Sequence, residues 1–447
     1  MHENYDLDRL TQLVRNRQFR ALRELLDDMN EVDIAGFLDE LDVEEEILVF
    51  RLLPKDLAAE VFAYLEEDQE KLISALSDRE LREVLDELYM DDTVDLIEDM
   101  PANLVTRILR NTDTSTRSQI NQLLNYPKDS AGSLMTTEFV YLHPNNTVEE
   151  SFARIRKVGL DKETVYTCYV TANRVLQGVV TVKRLLMSTY ETKISEIMET
   201  NVLSVTTHED KEEVAQMFSK YDLTALPVVD AEDRLLGIIT VDDAMDVMEE
   251  EATEDIEKMA AILPTDKPYF QTGVVETWKH RIPWLLLLMI SATFTGTILG
   301  FFEEALAANA ALTLFIPMLM DTGGNSGGQA SVTVIRAMSL GDIEFADWLR
   351  VIWKELRVAA LCAITLGAVT FVKVLTVDRK STLVAGVVAL TIVVTIVIAK
   401  LIGCTLPMLA KRLGFDPAVM ASPFITTVVD AMSLLVYFAI ATHLLGL

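Results

Sequence analysis

Thr426-Thr-Val-Val-Asp430-Ala-Met-Ser433-Leu-Leu-Val-Tyr437 lies inside a stretch, 418–445, that is apolar almost throughout. Such a stretch exceeds the ~20 residues that cross a bilayer as a helix. Asp430 is its only carboxylate. A carboxylate at mid-bilayer costs about 2.5–3.5 kcal/mol on insertion scales, so it faces a polar cavity or a partner. Thr426, Asp430, Ser433 and Tyr437 recur at steps of 4, 3 and 4, which is one stripe of a helix. The stretch reads as a pore-lining membrane helix. The alternative is a buried Asp satisfied by a neighbouring span.

Working outward, four more apolar stretches occupy 283–302, 305–338, 358–375 and 382–408. The second is interrupted by Asp321-Thr-Gly-Gly-Asn-Ser-Gly-Gly-Gln329, read here as a re-entrant break beside the pore, with Asn325 and Gln329 satisfying freed backbone groups. Five spans from a cytosolic start leave the C-terminus outside. Inner flanks then hold eight basic residues (Lys279, Arg281, Arg336, Arg350, Lys354, Arg357, Lys411, Arg412) against three outside (Lys373, Arg379, Lys380), as the positive-inside rule asks. The N-terminus lacks the apolar run of a signal peptide.

Charge divides the chain in the same place. The 447 residues are 50% hydrophobic yet carry a net charge of −30. After residue 275 there are 12 Lys/Arg and 11 Asp/Glu, leaving 27 and 58 before it. An acidic module thus precedes a near-neutral membrane module. Such a module repels nucleic acid and anionic lipid and attracts cations. Three cysteines without motif spacing give no disulfide framework or thiolate metal site.

Within the acidic module, residues 1–128 repeat. Leu41, Leu53, Leu65, Leu76, Leu88 and Met100 recur at steps of 12 or 11, one short helix plus a turn each, so stacked copies form a superhelix. Residues 129–195 and 196–246 are a duplication. Met135-Thr-Thr-Glu-Phe-Val answers Met198-Glu-Thr-Asn-Val-Leu, and Leu176-Gln-Gly-Val-Val-Thr-Val answers Leu236-Gly-Ile-Ile-Thr-Val. Each copy reads as a β-α-β-β-α unit, and the pair resembles tandem CBS domains, a regulatory module. Beyond it, 242–263 reads as a long helix on which Asp243, Asp246, Glu250, Glu254 and Glu257 form one acidic stripe. This connecting (plug) segment, 247–277, is expected to run directly into the first span, and 278–447 forms the membrane domain.

One transmembrane Asp per chain is too little for a selective divalent site. Two chains about a two-fold axis would supply two carboxylates. Mg²⁺ sheds water reluctantly and is held by one or two carboxylates with waters retained, so a dimeric pore for hydrated Mg²⁺ fits best. The five histidines form no His-Glu-x-x-His pair and no Walker sequence occurs, so neither metalloprotease nor ATPase machinery is visible and no enzyme is expected.

The tandem CBS pair, Tyr126-Pro-Lys-Asp-Ser-Ala-Gly132, Glu251-Ala-Thr-Glu-Asp-Ile256, Gly323-Gly-Asn-Ser-Gly-Gly-Gln329, and Leu413-Gly-Phe-Asp-Pro-Ala418 leading to Asp430 together resemble the MgtE family of magnesium channels. The resemblance implies a multidomain membrane protein: an α-helical superhelical N-terminal domain, α/β tandem CBS domains, a long connecting helix and a five-span α-helical transmembrane domain. It implies a homodimer in the cell (inner) membrane, with a pore at the symmetry axis formed by Asp430, Thr426 and Ser422. It also implies a Mg²⁺ sensor that closes the pore, made of Asp91, Asp95, Asp210, Glu212, Asp222, Asp243, Asp246, Glu251, Glu254, Asp255 and Asp416. Thr240-Val-Asp-Asp243 fits the CBS pattern for ribose. Thr181-Val-Lys-Arg184 in the first copy lacks that carboxylate, and Leu223 stands where the family keeps an aromatic near the base. At most one adenine nucleotide per chain, ATP, is therefore expected. The competing expectations are a divalent carrier that also takes Mn²⁺ or Co²⁺, and a CBS-regulated transporter of another solute.

Overall fold

The computed structural model describes residues 7–446 apart from 66–68, 266, 268, 270–271 and 421. Two compact units result, Met1–Met248 and Glu249–Leu447.

The first unit opens with ten short helices, from Leu7–Arg15 to Thr114–Leu123. Their N-caps keep the 12-residue beat: Asn30, Asp42 and Pro54, then Ser77, Tyr89, Pro101 and Asp113. Asn30, Asp42, Ser77 and Asp113 each accept a backbone N–H of the first turn, which satisfies a donor the helix start leaves open. Alternate helices stack: Glu31–Asp39 on Lys55–Ala63, that on Asp78–Leu85, and that on Ala102–Asn111. The periodic Leu41, Leu65 and Leu76 are buried where one helix turns into the next, and Leu53, Leu88 and Met100 pack on the same core. The repeat read from the sequence is the superhelix seen.

Two three-stranded sheets follow. β1 (Phe139–Leu142) pairs parallel with β2 (Thr164–Ala172), which pairs antiparallel with β3 (Val175–Thr181). β4 (Val205–Thr206), β5 (Ala225–Val229) and β6 (Leu235–Thr240) repeat that topology. The copies cross-link symmetrically: Val179 pairs with Glu199, entering the second copy, and Ile238 pairs with Thr136, entering the first. Gly178 and Gly237 make these approaches possible. A Cβ on Gly178 would lie 2.7 Å from Glu199 O, and one on Gly237 would lie 2.6 Å from Thr136 O. Met198 and Met135, the residues that open the two copies, cover these glycines.

The acidic connecting helix spans Val241–Met259. It is shorter than its sequence pattern suggested, and it does not continue into the first membrane helix. Ala261 adopts a left-handed φ of 56°, and Ile262 N bonds back to Glu257 O, which ends the helix. The chain then folds against the next helix, with Leu263 N on His280 O and Lys267 paired with Glu276.

Among the described residues of the second unit, four helices are long and apolar enough to cross a membrane: Val274–Phe301, Phe345–Thr376, Thr382–Arg412 and Ala418–Leu445. The expected re-entrant break is absent. Ile316–Ser339 is one continuous α-helix that carries all four glycines of the motif. Packing decides this against propensity. Gly323, Gly324, Gly327 and Gly328 are buried, and the helix lies against Thr382–Arg412 and Ser422–Leu445. A Cβ on Gly323 would come within 2.8 Å of Ser433 Oγ, one on Gly324 within 2.8 Å of Thr426 Cγ2, and one on Gly327 within 2.9 Å of Ile425 Cγ2. Small residues let membrane helices approach closely and gain dispersion contact, so the glycines are a packing face rather than a break.

Gly327→Val should therefore overpack this interface at a cost of about 1–3 kcal/mol. Thermal unfolding of the detergent-solubilised protein reads this as a lower midpoint. An unchanged midpoint would show that the face is loose.

Candidate pore and candidate cation sensor

The glycine helix has a second face. Asp321, Asn325, Gln329 and Thr333 recur every four residues and are exposed in the single chain. The sequence reading assigned Asn325 and Gln329 to a kink and overlooked Asp321. Once the segment is continuous helix, these side chains form a polar stripe at the depth of the apolar helices. Polar groups there need water or a partner. Asp321 is also close enough to act electrostatically on Asp430. The protomer thus contributes two carboxylates at this depth, which corrects the count of one.

Asp430 is half-buried on Ser422–Leu445, and its buried Oδ1 has no hydrogen-bond partner among the described residues. Thr426 is half-buried and faces Gly324. The lower part of the predicted stripe turns inward: Ser433 bonds Val429 O at 2.7 Å, and Tyr437 OH donates to Leu312 O at 3.0 Å in the protomer core. Asp430 thus stands where the stripe passes from buried to half-buried positions. The backbone of Ser422 begins the helix, but its side chain lies outside the described residues. Lys400, the cation within a span, is buried and sits 3.7 Å from buried Glu355. That pairing limits the cost of either charge.

At the pore helices' other end the connecting helix is seated. Met259 packs with Ile335 of the glycine helix and Ala418. Asp416 Oδ1 accepts from Ala418 N at 2.7 Å, and Asp416 Oδ2 receives Lys258 Nζ at 2.6 Å. Lys258 also pairs with Glu254. Burial, and then Asp416, push the Asp255 carboxyl above its usual range, while Ser339 and Arg336 pull it back. The acidic stripe is thus relieved from within, by an ammonium lodged between Glu254 and Asp416.

A second carboxylate group forms where the helical domain meets the CBS pair. Asp91 is buried, and Met90 N bonds Glu138 Oε2 at 3.2 Å. Burial, and then Asp243, Glu163 and Asp92, push Asp91 well above the usual carboxylate range. Asp92 is pushed up to about 6 by burial, Asp242 and Glu138. Asp243 also rises to about 6 through burial, although Thr240 Oγ1 donates to it at 2.6 Å and pulls it down. Glu163 reaches about 8 through burial, then Asp243 and Asp242. Asp92, Glu138, Glu163 and Asp242 were not singled out in the sequence. Nothing in local spacing marks them, because they come from four separated segments.

Of the remaining expected residues, Asp246 acts on Tyr64 together with Asp242 and Asp92. Asp95 is exposed. Asp210 caps the helix Lys211–Tyr221 by accepting Glu212 N, Glu212 bonds Gln216, and Asp222 ends that helix with a φ of 51°. Asp246 is exposed and Glu251 half-buried on the connecting helix. Among the described residues, no three His, Cys, Asp or Glu side chains converge as a ready cage. Mg²⁺ held through retained waters does not require one.

Comparison with known proteins fits this geometry. Residues 316–440 match the MgtE divalent cation transporter family, 29–129 the MgtE intracellular N domain, and 131–190 and 194–250 the CBS domain. The magnesium transporter MgtE of Thermus thermophilus is 39% identical over 95% of both chains. That of Bacillus subtilis is 31% identical over 97% of this chain and 96% of its own. The crystal structure of the cytosolic domain of the Mg²⁺ channel MgtE in complex with ATP is 39% identical. It superposes with a TM-score of 0.52, covering 54% of this chain and all of that one. The fold and the site define a multi-pass membrane transporter for a cation, carrying a CBS regulatory module. The chain belongs to the MgtE family.

The raised carboxylates make a pH prediction. Each binds its proton more tightly folded than unfolded, so its stabilising contribution is complete below the unfolded value and is lost as pH rises through the folded one. Those windows run from 3.8 to about 6 for Asp92 and Asp243 and from 4.5 to about 8 for Glu163. In chelator, the unfolding midpoint of the first unit should fall between about pH 5 and pH 8.5. Mg²⁺ should restore it at the higher pH far more than at the lower. A midpoint that rises with pH in chelator would contradict the assignment.

Proposed function

We propose that the chain conducts Mg²⁺ as a homodimer and that cytosolic Mg²⁺ closes it. The observation that carries this reading is the exposed stripe Asp321–Asn325–Gln329 beside Asp430 in a helix otherwise packed at bilayer depth. A second copy facing this stripe would enclose a polar path with four carboxylates. Oxygen ligands of this kind suit a hard, hydrated cation. Thr426, one turn from Asp430, and Ser422, one turn beyond, would contribute hydroxyls. In the membrane, the N-terminal half faces the cytosol and the C-terminus the opposite side, in keeping with the basic flanks.

Closure follows from the carboxylates. Asp91, Asp92 and Glu163 face Asp242 and Asp243 with charge that only protons or cations relieve. Mg²⁺ bridging them favours the compact module. At the other end, Glu254 through Lys258, and Asp255, approach Asp416 beside the ends of both pore helices, with Glu251 on the same helix, so the connecting helix can hold the mouth shut. Asp95, Asp210, Glu212, Asp222 and Asp246 add further carboxylates for weakly held ions. The ion must bind the closed form more tightly, and several sites acting together steepen the response. ATP bound at Thr240 and Asp243 would compete for a carboxylate that the sensor also uses. The domain limits follow the same division of labour: 1–128 and 129–246 sense, 247–277 transmits, 278–447 conducts.

Asp430→Ala should abolish Mg²⁺ uptake into liposomes while the dimer persists, and Asp321→Asn should reduce it severalfold. Cysteines at 325 should cross-link between chains. Full uptake by Asp430→Ala at equal incorporation would remove Asp430 from the path.

A further inference from the structure

A cavity of about 700 Å³ lies in the first unit, lined by Gln119 and Gln122 of the helical domain, Phe139 and Tyr141 of β1, Arg154, and Arg174 in the β2–β3 turn, among others. Its size is that of a small-molecule site. Neither Thr181–Arg184 nor Thr240–Asp243 contributes to its wall, so it is separate from the nucleotide positions considered above. We propose that it binds a small phosphorylated ring compound.

Charge points to an anion. Before residue 275, Asp and Glu outnumber Lys and Arg by 58 to 27, yet none of the lining residues is Asp or Glu and two are Arg. A wall so composed rejects Mg²⁺ and attracts phosphate. The two arginines are also left without protein anions. Neither forms a salt bridge among the described residues, in a module full of carboxylates. Arg154 holds its guanidinium 4.0 Å above the Tyr141 ring, and its buried Nε makes no hydrogen bond among the described residues. Guanidinium groups shielded from water ordinarily find acceptors. Arg174 keeps a φ of 70° beside Asn173 at 53°, a two-residue turn whose second position favours glycine. Retaining a long cationic side chain in that strained place points to use of the side chain. Phe139 and Tyr141 offer aromatic surface for a flat ring, and Gln119 and Gln122 offer amides to its heteroatoms.

The walls come from both the helical domain and the CBS pair. A ligand that needs both walls stabilises their docking by mass action. Under the gating proposed above, it lowers the Mg²⁺ concentration needed for closure; that effect rests on the gating reading, whereas binding does not.

The test uses the full-length protein in detergent and 1-naphthyl phosphate, a fluorescent ring bearing a phosphate. Saturable binding is expected, with 1-naphthol and inorganic phosphate each binding at least tenfold more weakly. Arg154→Ala should weaken the probe at least tenfold. Arg174→Gly relieves the backbone and should weaken the probe similarly without lowering the unfolding midpoint, which separates a ligand role from a structural one. No saturable binding, or binding by both variants as tight as by the unaltered protein, would overturn the site. Binding with no change in the Mg²⁺ dependence of liposome flux would leave the site standing and overturn its coupling to closure.

Discussion

Like charges held where water is scarce govern both halves of this molecule. Two unit charges ~4 Å apart interact by roughly 4 kcal/mol at an effective dielectric of 20, comparable to a large part of a domain's stability. Asp91, Asp92, Glu163 and Asp243 are buried close enough to act on one another in the first unit. Asp321 and Asp430 meet at bilayer depth in the membrane unit. A mobile divalent ion is the natural relief for each group. Under the proposed gating, the same ion is cargo in one place and signal in the other.

The connecting helix gives this charge mechanical consequence. Its last turns carry Asp255 and Lys258 to the ends of the glycine helix and the Asp430 helix. Lys258 sits on Asp416 as a built-in monovalent cation. Under the proposed gating, Mg²⁺ arriving there would have to displace or join an ammonium, which would weaken its binding.

Much of the fold was legible because it is periodic. The 12-residue beat gave the superhelix, and the paired Met135/Met198 and Gly178/Gly237 phrases gave the duplicated sheets. Apolar length gave the membrane helices. Failures arose where tertiary packing overrode local preference. The glycine-rich run reads as a break, yet its glycines lie against Ser433, Thr426 and Ile425 and stay helical. That error hid the Asp321–Asn325–Gln329 face, which a four-residue count on a continuous helix would have found. The length of the connecting helix was overread because no Gly or Pro interrupts the sequence before Pro264, whereas the backbone already turns left-handed at Ala261. Asp430 is conspicuous in the sequence as a lone charge in an apolar helix. Glu163 and Glu138 were not, since only folding brings them to Asp92 and Asp243.

The central claim is that Mg²⁺ on the cytosolic face closes the path it would enter by. The most direct measurement is single-channel conductance in an oriented bilayer, with free Mg²⁺ varied on the side of the N-terminal half alone. Open probability should fall steeply as that concentration rises into the millimolar range, and should stay unchanged when only the opposite side is varied. Open probability indifferent to Mg²⁺ on the N-terminal side would contradict the account, and would leave the acidic surfaces as solvated faces.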